Sequence, residues 1–353
     1  MAANSEARPV KCVIWDLDDT VWEGVLLEDS RVRPRPEVLE VLRALDSRGI
    51  LHSIASRNDP AAARAKLDEL GIGELFLYPQ INWGSKAESV ARIARRLNLD
   101  PDSFAFVDDQ AFEREEVNSR FPAVRCFDAA QVAGLPGLPA FRPAFVTEES
   151  RQRRHMYRAA IDRDEAAEEF TGTSAEFLST LDMVFTVAPA TTEDLGRAEE
   201  LTVRTHQLNT TGRTYSHAEL DQLRRSGDHL LLMAELTDRF GSYGKIGLAL
   251  VELGQEAWRL KLLLMSCRVM SRGVGTVLLN EIQRLAAAAG VRLRADFVVN
   301  DRNRMMYVTY RMGGFREVSR DGDEVVLEGP EDIPPIPHYL AVRGVAGAGL
   351  GRG

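Results

Sequence analysis

Cysteine is scarce in this chain, with Cys12, Cys126 and Cys267 scattered across 353 residues and no pair at the spacing of zinc ligands. That excludes a disulfide framework and a cysteine-built metal site, so each thiol is expected to be free. No apolar run approaches the length of a membrane span. The N-terminal MAANSEARPV has neither the basic nor the apolar region of a secretory signal, so a cytoplasmic location without a membrane partner is expected. Positive charge is in deficit too: 44 Lys and Arg stand against 53 Asp and Glu, a net charge of -9. A nucleic-acid partner is not expected, since a phosphate polymer needs a clustered cationic face.

What is present is the composition of a soluble globular protein, 44% hydrophobic and 27% charged, in a chain long enough for two domains. From Val10 to Phe127 short apolar runs alternate with helical periods: VKCVIW, VLEVLRALDSRG, LHSIAS, AARAKLDELG, ESVARIARRLN, SFAFVDD and VRCF. Strands alternating with helices predict a parallel sheet covered on both faces, with ligands bound at the carboxyl ends of the strands. Residues 129–147, rich in Pro, Gly and Ala, read as a linker between a domain at 1–128 and a second at 148–330. The second domain opens with a charged helix containing RQRRHMYR. Two adjacent strands follow, KIGLALVEL and AWRLKLLLM, then a glycine turn at SRGVG and the helix TVLLNEIQRLAAAAG. Residues 331–353 are expected to be a flexible tail.

The stretch KCVIWDLDDTVW runs from an apolar strand into Asp16, Asp18 and Asp19. Clustered carboxylates resist desolvation, so a cation must compensate them. A calcium loop counted from Asp16 fails, because Val21 and Leu27 stand where glycine and glutamate are needed. Phosphoryl transfer fits better: it needs a carboxylate nucleophile, a second carboxyl group to move a proton, and a divalent cation. Asp16 and Asp18, two apart at an extended strand end, project to one side. FAFVDDQ supplies Asp108 and Asp109 after another apolar run, Ser56 follows LHSIA, and Lys86 opens a helix.

This ordered set resembles the haloacid dehalogenase-like phosphatases. The resemblance implies that Asp16 is the nucleophile and Asp18 the general acid and base. It also implies that Ser56, Asn58 and Lys86 hold phosphate, and that Asp16, Asp18 and Asp108 bind Mg2+. Asp109 is either a direct ligand or a supporting residue. The gaps from Thr20 to Ser56 and from Ser56 to Lys86 are too short for an inserted cap domain, with WEGVLLED left as a small flap.

Cys267 lies between a strand end and a helix start, with Arg268 and Arg272 nearby, surroundings that favour a nucleophilic thiolate. The segment LLLMSCRVMSRGVGTVLL resembles the cofactor-binding part of the N-acetyltransferase-like fold, although Met270 stands where a basic or amide residue is usual. The fold class is therefore α/β: a capless Rossmann-like haloacid dehalogenase-type domain followed by an N-acetyltransferase-like domain. CVIWDLDDTVWEGVLLED, RTHQLNTTGRTYS and LLMSCRVMSRGVG together resemble the FkbH-like glyceryl transferase/phosphatases of polyketide pathways.

That resemblance implies 1,3-bisphosphoglycerate as substrate and an acyl carrier protein with a phosphopantetheine arm as partner. It also implies Cys267 as the acyl-bearing nucleophile and Gln207, Asn209 and Thr211 as acyl-site residues; the acid–base chemistry of imidazole, not the resemblance, makes His206 the candidate base for the thiols. His206 stands where relatives carry Asn. The alternatives are a small-molecule phosphatase fused to an acetyl-CoA-dependent acyltransferase, and a plain phosphatase carrying a docking module. RQRRHMYR is a candidate landing patch for an acidic carrier.

Overall fold

The computed structural model describes residues 9–28, 32–143, 145–205 and 207–344, without the side chains of Cys267 and Ser271. The chain divides into two compact units, Met1–Arg158 and Ala159–Gly353.

The strands of the first unit are β1 (Cys12–Trp15), β2 (Trp22–Glu23), β3 (Arg33–Pro34), β4 (Leu51–Ser56), β5 (Gln80–Ile81), β6 (Phe104–Asp108) and β7 (Arg125–Asp128). Five form a parallel sheet in the order β5-β4-β1-β6-β7. The central strands β1, β4 and β6 are buried along their whole length, as a sheet covered on both faces requires. Helices Pro36–Ser47, Pro60–Glu69, Lys86–Leu97 and Ala111–Arg120 connect them. The last has little apolar periodicity, only Glu113 and Val117 being buried, and its sequence AFEREEVNSR gave no helical signal. The expected flap is the hairpin β2/β3, which pairs Trp22 with Pro34.

The stretch expected as a linker is largely folded onto the first unit. Residues Ala129–Gly137 and Pro139–Phe141 form 3-10 turns, and Val132, Leu135 and Phe141 join the first core. Burying such side chains is worth about 1.5–3 kcal/mol each, more than Pro and Gly cost in an irregular turn.

The second unit holds β8 (Met183–Pro189), β9 (His229–Asp238), β10 (Gly241–Glu252), β11 (Ala257–Met265), β12 (Arg292–Val298), β13 (Arg316–Asp321), β14 (Glu324–Glu328) and β15 (Leu340–Arg343). They form one sheet in the order β13-β14-β12-β11-β10-β9-β8-β15. The pairs β11/β12 and β8/β15 are parallel. Of the expected flexible tail at 331–353, the described part, to Gly344, contributes an edge strand: Leu340 is buried, and Ile336 and Tyr339 pack against the core, while residues 345–353 lie outside the described residues. Among the described residues no helix is long and apolar enough to cross a membrane.

The pairing of β11 with β12 runs only from Ala257/Arg292 to Leu260/Ala295. Beyond that the segment Leu208–Thr210 fills the gap between them. Met265 N donates to Leu208 O (2.9 Å), Thr210 N to Leu263 O (3.1 Å) and, on the other side, Val298 N to Thr210 O (2.9 Å). The buried Asn303 side chain secures the segment by donating to the carbonyls of Asn209, Thr210 and Val298.

Gly49 has φ +74° and touches the segment after the 3-10 turns: a Cβ there would lie 2.5 Å from Ser150 O. Gly71 has φ +65° with open space around it. Gly71→Ala should therefore cost about 1–2 kcal/mol of left-handed strain alone. Gly49→Ala should cost distinctly more, measured as the shift in the thermal unfolding of the first unit.

Candidate active site

The carboxyl ends of β1, β4 and β6 converge, as parallel neighbours must. Asp16 follows β1 and is held by its own N–H donating to Val107 O at 2.9 Å. Asp108 ends β6 and is fully buried, with Oδ1 accepting from Gln110 N at 2.8 Å. Between them lies the buried Lys86, whose Nζ is 2.7 Å from Asp16 Oδ1 and 2.5 Å from Asp108 Oδ2. Lys86 is the first residue of a helix capped by Ser85, which accepts from Glu88 N. A cation there opposes the helix dipole, so the two carboxylates must hold it in place. Burial alone would lower the Lys86 pKa, but Asp16 and Asp108 outweigh it and keep it above its ordinary value.

Asp109 joins this pair. Oxygens of Asp16, Asp108 and Asp109 lie within 4.8 Å of one another. Asp109 N donates to Thr20 Oγ1 at 3.2 Å, while its buried Oδ1 has no hydrogen-bond partner. Burial raises the Asp16 pKa to about 6; Lys86 opposes that shift and Asp108 adds to it. Burial, and then the charge of Asp16, also raises Asp109. Three carboxylates face one ammonium, and one buried acceptor is unused: this donor set fits a hard divalent cation such as Mg2+. The carboxylates of Asp16, Asp108 and Asp109 thus cluster, while the carboxylate of Asp18, the other member of the expected trio, is not among them.

The Asp18 carboxylate turns to other partners. Its Oδ1 accepts from Trp22 Nε1 (2.8 Å) and Leu26 N (3.1 Å), and its Oδ2 accepts from Asn58 Nδ2 (3.0 Å). Asn58 is fully buried, and its Oδ1 accepts from Asp59 N. Asn58 therefore positions Asp18 through one N–H, and its Nδ2 has a second N–H to offer a phosphate. Trp22 was not singled out from the sequence; the signal was an indole four residues after the second aspartate. Asp19 is a turn residue with φ +50°, its carboxylate accepting from Gly24 N at 2.8 Å. Ser56 is buried at the end of β4.

In the second unit, Asn209 is buried and its Oδ1 accepts from Thr211 N and Gly212 N, while Nδ2 donates to Arg213 O. Its side chain therefore shapes the loop. Gln207 is exposed, and Thr211 Oγ1 accepts from Arg213 N. His206 and the Cys267 side chain lie outside the described residues. Their described neighbours Leu208 and Met265 share a backbone hydrogen bond.

The arginines of RQRRHMYR are already engaged within the first unit. Arg154 pairs with Asp46 at 3.0 Å, Arg153 donates to Gly49 O, Arg158 to Glu74 O, and Arg151 pairs with Glu148. The candidate landing patch thus also anchors contacts within the first unit.

Residues 23–113 match the family model of haloacid dehalogenase-like hydrolases, a span that holds Ser56, Asn58, Lys86, Asp108 and Asp109 and begins after Asp16 and Asp18. No curated protein matches the chain. Among solved structures, the chain is similar to the N-terminal part of a Bacteroides fragilis protein that contains a phosphatase domain and is complexed with Mg. That match has 26% identity and a TM-score of 0.31 over 42% of this chain and 39% of that one. It is also similar to the ribosomal-protein-S18-alanine N-acetyltransferase of Escherichia coli, with 16% identity and a TM-score of 0.34 over 43% of this chain and 96% of that one. A third is the PaiA N-acetyltransferase of Thermoplasma acidophilum in complex with coenzyme A, with 18% identity and a TM-score of 0.32 over 41% and 98%.

Two tests follow from this geometry. A raised Asp16 pKa means that the folded, metal-free chain keeps a proton between 3.8 and about 6 that the unfolded chain has released. Its contribution to stability is therefore full below that window and is lost as pH rises through it. Mg2+ should reverse the loss: at a hundred times its Kd it adds about 2.7 kcal/mol. The thermal shift it gives should be larger at about pH 7.5 than at about pH 5, where protons compete. Separately, Asn58→Ala should lower kcat toward a phosphomonoester by about tenfold or more with KM little changed. A change confined to KM would put Asn58 on the substrate phosphate.

Proposed function

We propose that the chain is a bifunctional glyceryl transferase/phosphatase. It takes 1,3-bisphosphoglycerate, loads the acyl unit onto an acyl carrier protein as a thioester, and removes the remaining phosphate. The observation that carries the phosphatase half is the buried Asp16–Lys86–Asp108 bridge with Asp109 beside it and a separately oriented Asp18. Asp16, Asp108 and Asp109 would hold Mg2+ here, and it would supply charge neutralisation toward a phosphate group.

Asp16 attacks phosphorus and forms an aspartyl-phosphate as the ester oxygen leaves. Asp18, held by Trp22, Leu26 N and Asn58, gives that oxygen its proton and then takes one from the water that cleaves the aspartyl-phosphate. Lys86 balances the charge on Asp16 and Asp108 throughout.

For the acyl half, the Cys267 thiolate attacks the acyl-phosphate carbon. The C–O bond to phosphate breaks, inorganic phosphate departs, and a thioester forms without ATP. The phosphopantetheine thiol then takes the acyl group, and Cys267 leaves as thiolate. His206 is the base assigned to these thiols. The three-segment sequence pattern supports this half, together with the backbone pairing of Leu208 and Met265, which flank His206 and Cys267 in sequence.

The test is to incubate the protein with 1,3-bisphosphoglycerate, Mg2+ and phosphopantetheinylated carrier and to weigh the carrier by mass spectrometry. A glyceryl adduct is expected from the wild type. Cys267→Ala should give none, and Asp16→Asn an adduct that retains phosphate. If a carrier proven competent for acylation stays unloaded, the proposal fails; coenzyme A consumption instead would favour an acyl-CoA-dependent transferase.

A further inference from the structure

The helix Arg304–Met312 buries Met306 and Tyr310 on its inner side and leaves an apolar stripe outside. Met305, Val308 and Met312 are 48%, 39% and 69% exposed. Their spacing of three and then four residues puts them on one face. Arg304 lies four residues before Val308 and Arg311 three after it, so both arginines flank the stripe. From Arg302 to Arg316 the sequence has four arginines and no Asp or Glu, within a chain of net charge -9; Arg302 pairs with Asp301 at 4.0 Å and Arg316 with Glu328 at 3.6 Å, so Arg304 and Arg311 are the cations that edge the stripe. Arg311 donates to Phe315 O at 3.1 Å, which leaves most of its guanidinium N–H groups for a partner.

Isolated surface hydrophobics need no explanation, but a methionine-rich stripe edged by one sign of charge does. We infer that this face is a docking surface for an acidic amphipathic helix of a partner protein. Charge decides between the possible occupants. A second copy of the chain presenting the same face would set arginine against arginine. A nucleic acid would satisfy the arginines but strand the methionines and Val308 against sugar and phosphate. An acidic helix with an apolar stripe meets both requirements, and thioether side chains repack readily around it. The inference rests on the proposed function only for naming the partner, which would be the carrier protein.

Three partners would be measured by fluorescence anisotropy against the full-length protein. One is a labelled helical peptide with leucines spaced three and four apart and flanked by glutamates, another is the same peptide with lysines, and the third is a phosphopantetheinylated acyl carrier protein. The wild type should bind the glutamate peptide and the carrier in preference to the lysine peptide, more weakly as salt rises. Arg304→Glu/Arg311→Glu should weaken both by about tenfold or more and favour the lysine peptide, and Met305→Ser/Met312→Ser should also weaken both. Phosphatase turnover of p-nitrophenyl phosphate and the melting temperature should stay unchanged, showing that the variants fold.

Equal affinity of wild type and arginine variant for the glutamate peptide overturns the inference. So does a dimer of the wild type, seen by sedimentation, that the variant loses, or an RNA oligonucleotide that binds more tightly than the peptide and at the same residues. Carrier loading that is absent while the binding pattern holds sinks the proposed function and leaves the surface standing. Loading that proceeds with unchanged KM in both double variants does the reverse.

Discussion

The first unit depends on one contact, the ammonium of Lys86 held between the carboxylates of Asp16 and Asp108. Each of the three is costly to bury alone, and together they tie the ends of β1 and β6 to the start of the helix Lys86–Leu97. With Asp109 adding a third carboxylate, whose buried oxygen is unpartnered, the site is two positive charges short of neutrality. The protein is thus built around a deficit that a divalent cation can fill. Burial, with a smaller contribution from Asp108, raises the Asp16 pKa against the pull of Lys86.

The aspartates of DLDD divide the work. Asp16 faces the lysine bridge, Asp18 is turned away by three donors from two loops, and Asp19 only closes the turn that starts the hairpin. Residue type and spacing made the cluster legible in the sequence, as did the order of Ser56, Lys86 and Asp108 behind it. The separate use of each carboxylate is not legible, because it depends in part on Asn58, which reaches Asp18 only when β1 and β4 lie side by side. Trp22 acts within the same loop, four residues on from Asp18.

Strands β1, β4, β6 and β7 are legible because buried parallel strands leave short continuous apolar runs, whereas the two-residue β5 leaves none. The helix Ala111–Arg120 escaped because it buries so little. Composition misjudged residues 129–141, where Pro and Gly suggested a tether but Val132, Leu135 and Phe141 were enough to seat the segment in the core. In the second unit β10, β11 and the helix after the glycine turn were plain. Nothing in LNTT announces that it continues a sheet across the gap between β11 and β12, since that depends on carbonyls and amides far away in the chain.

The edge strand β15 carries a consequence for the order of assembly. Leu340 pairs with Met183 and Arg343 with Thr186, more than 150 positions apart in the chain. Contacts this distant in sequence close late, because the intervening loop must lose its freedom before they form. During synthesis the first unit can fold as soon as residues to about 158 have emerged. The outer edge of the second sheet, by contrast, stays unpaired at β8 until residues 340–343 have left the ribosome. An open strand edge is a site of mispairing, so Leu340–Arg343 act as a closing seam that shields β8 from other chains.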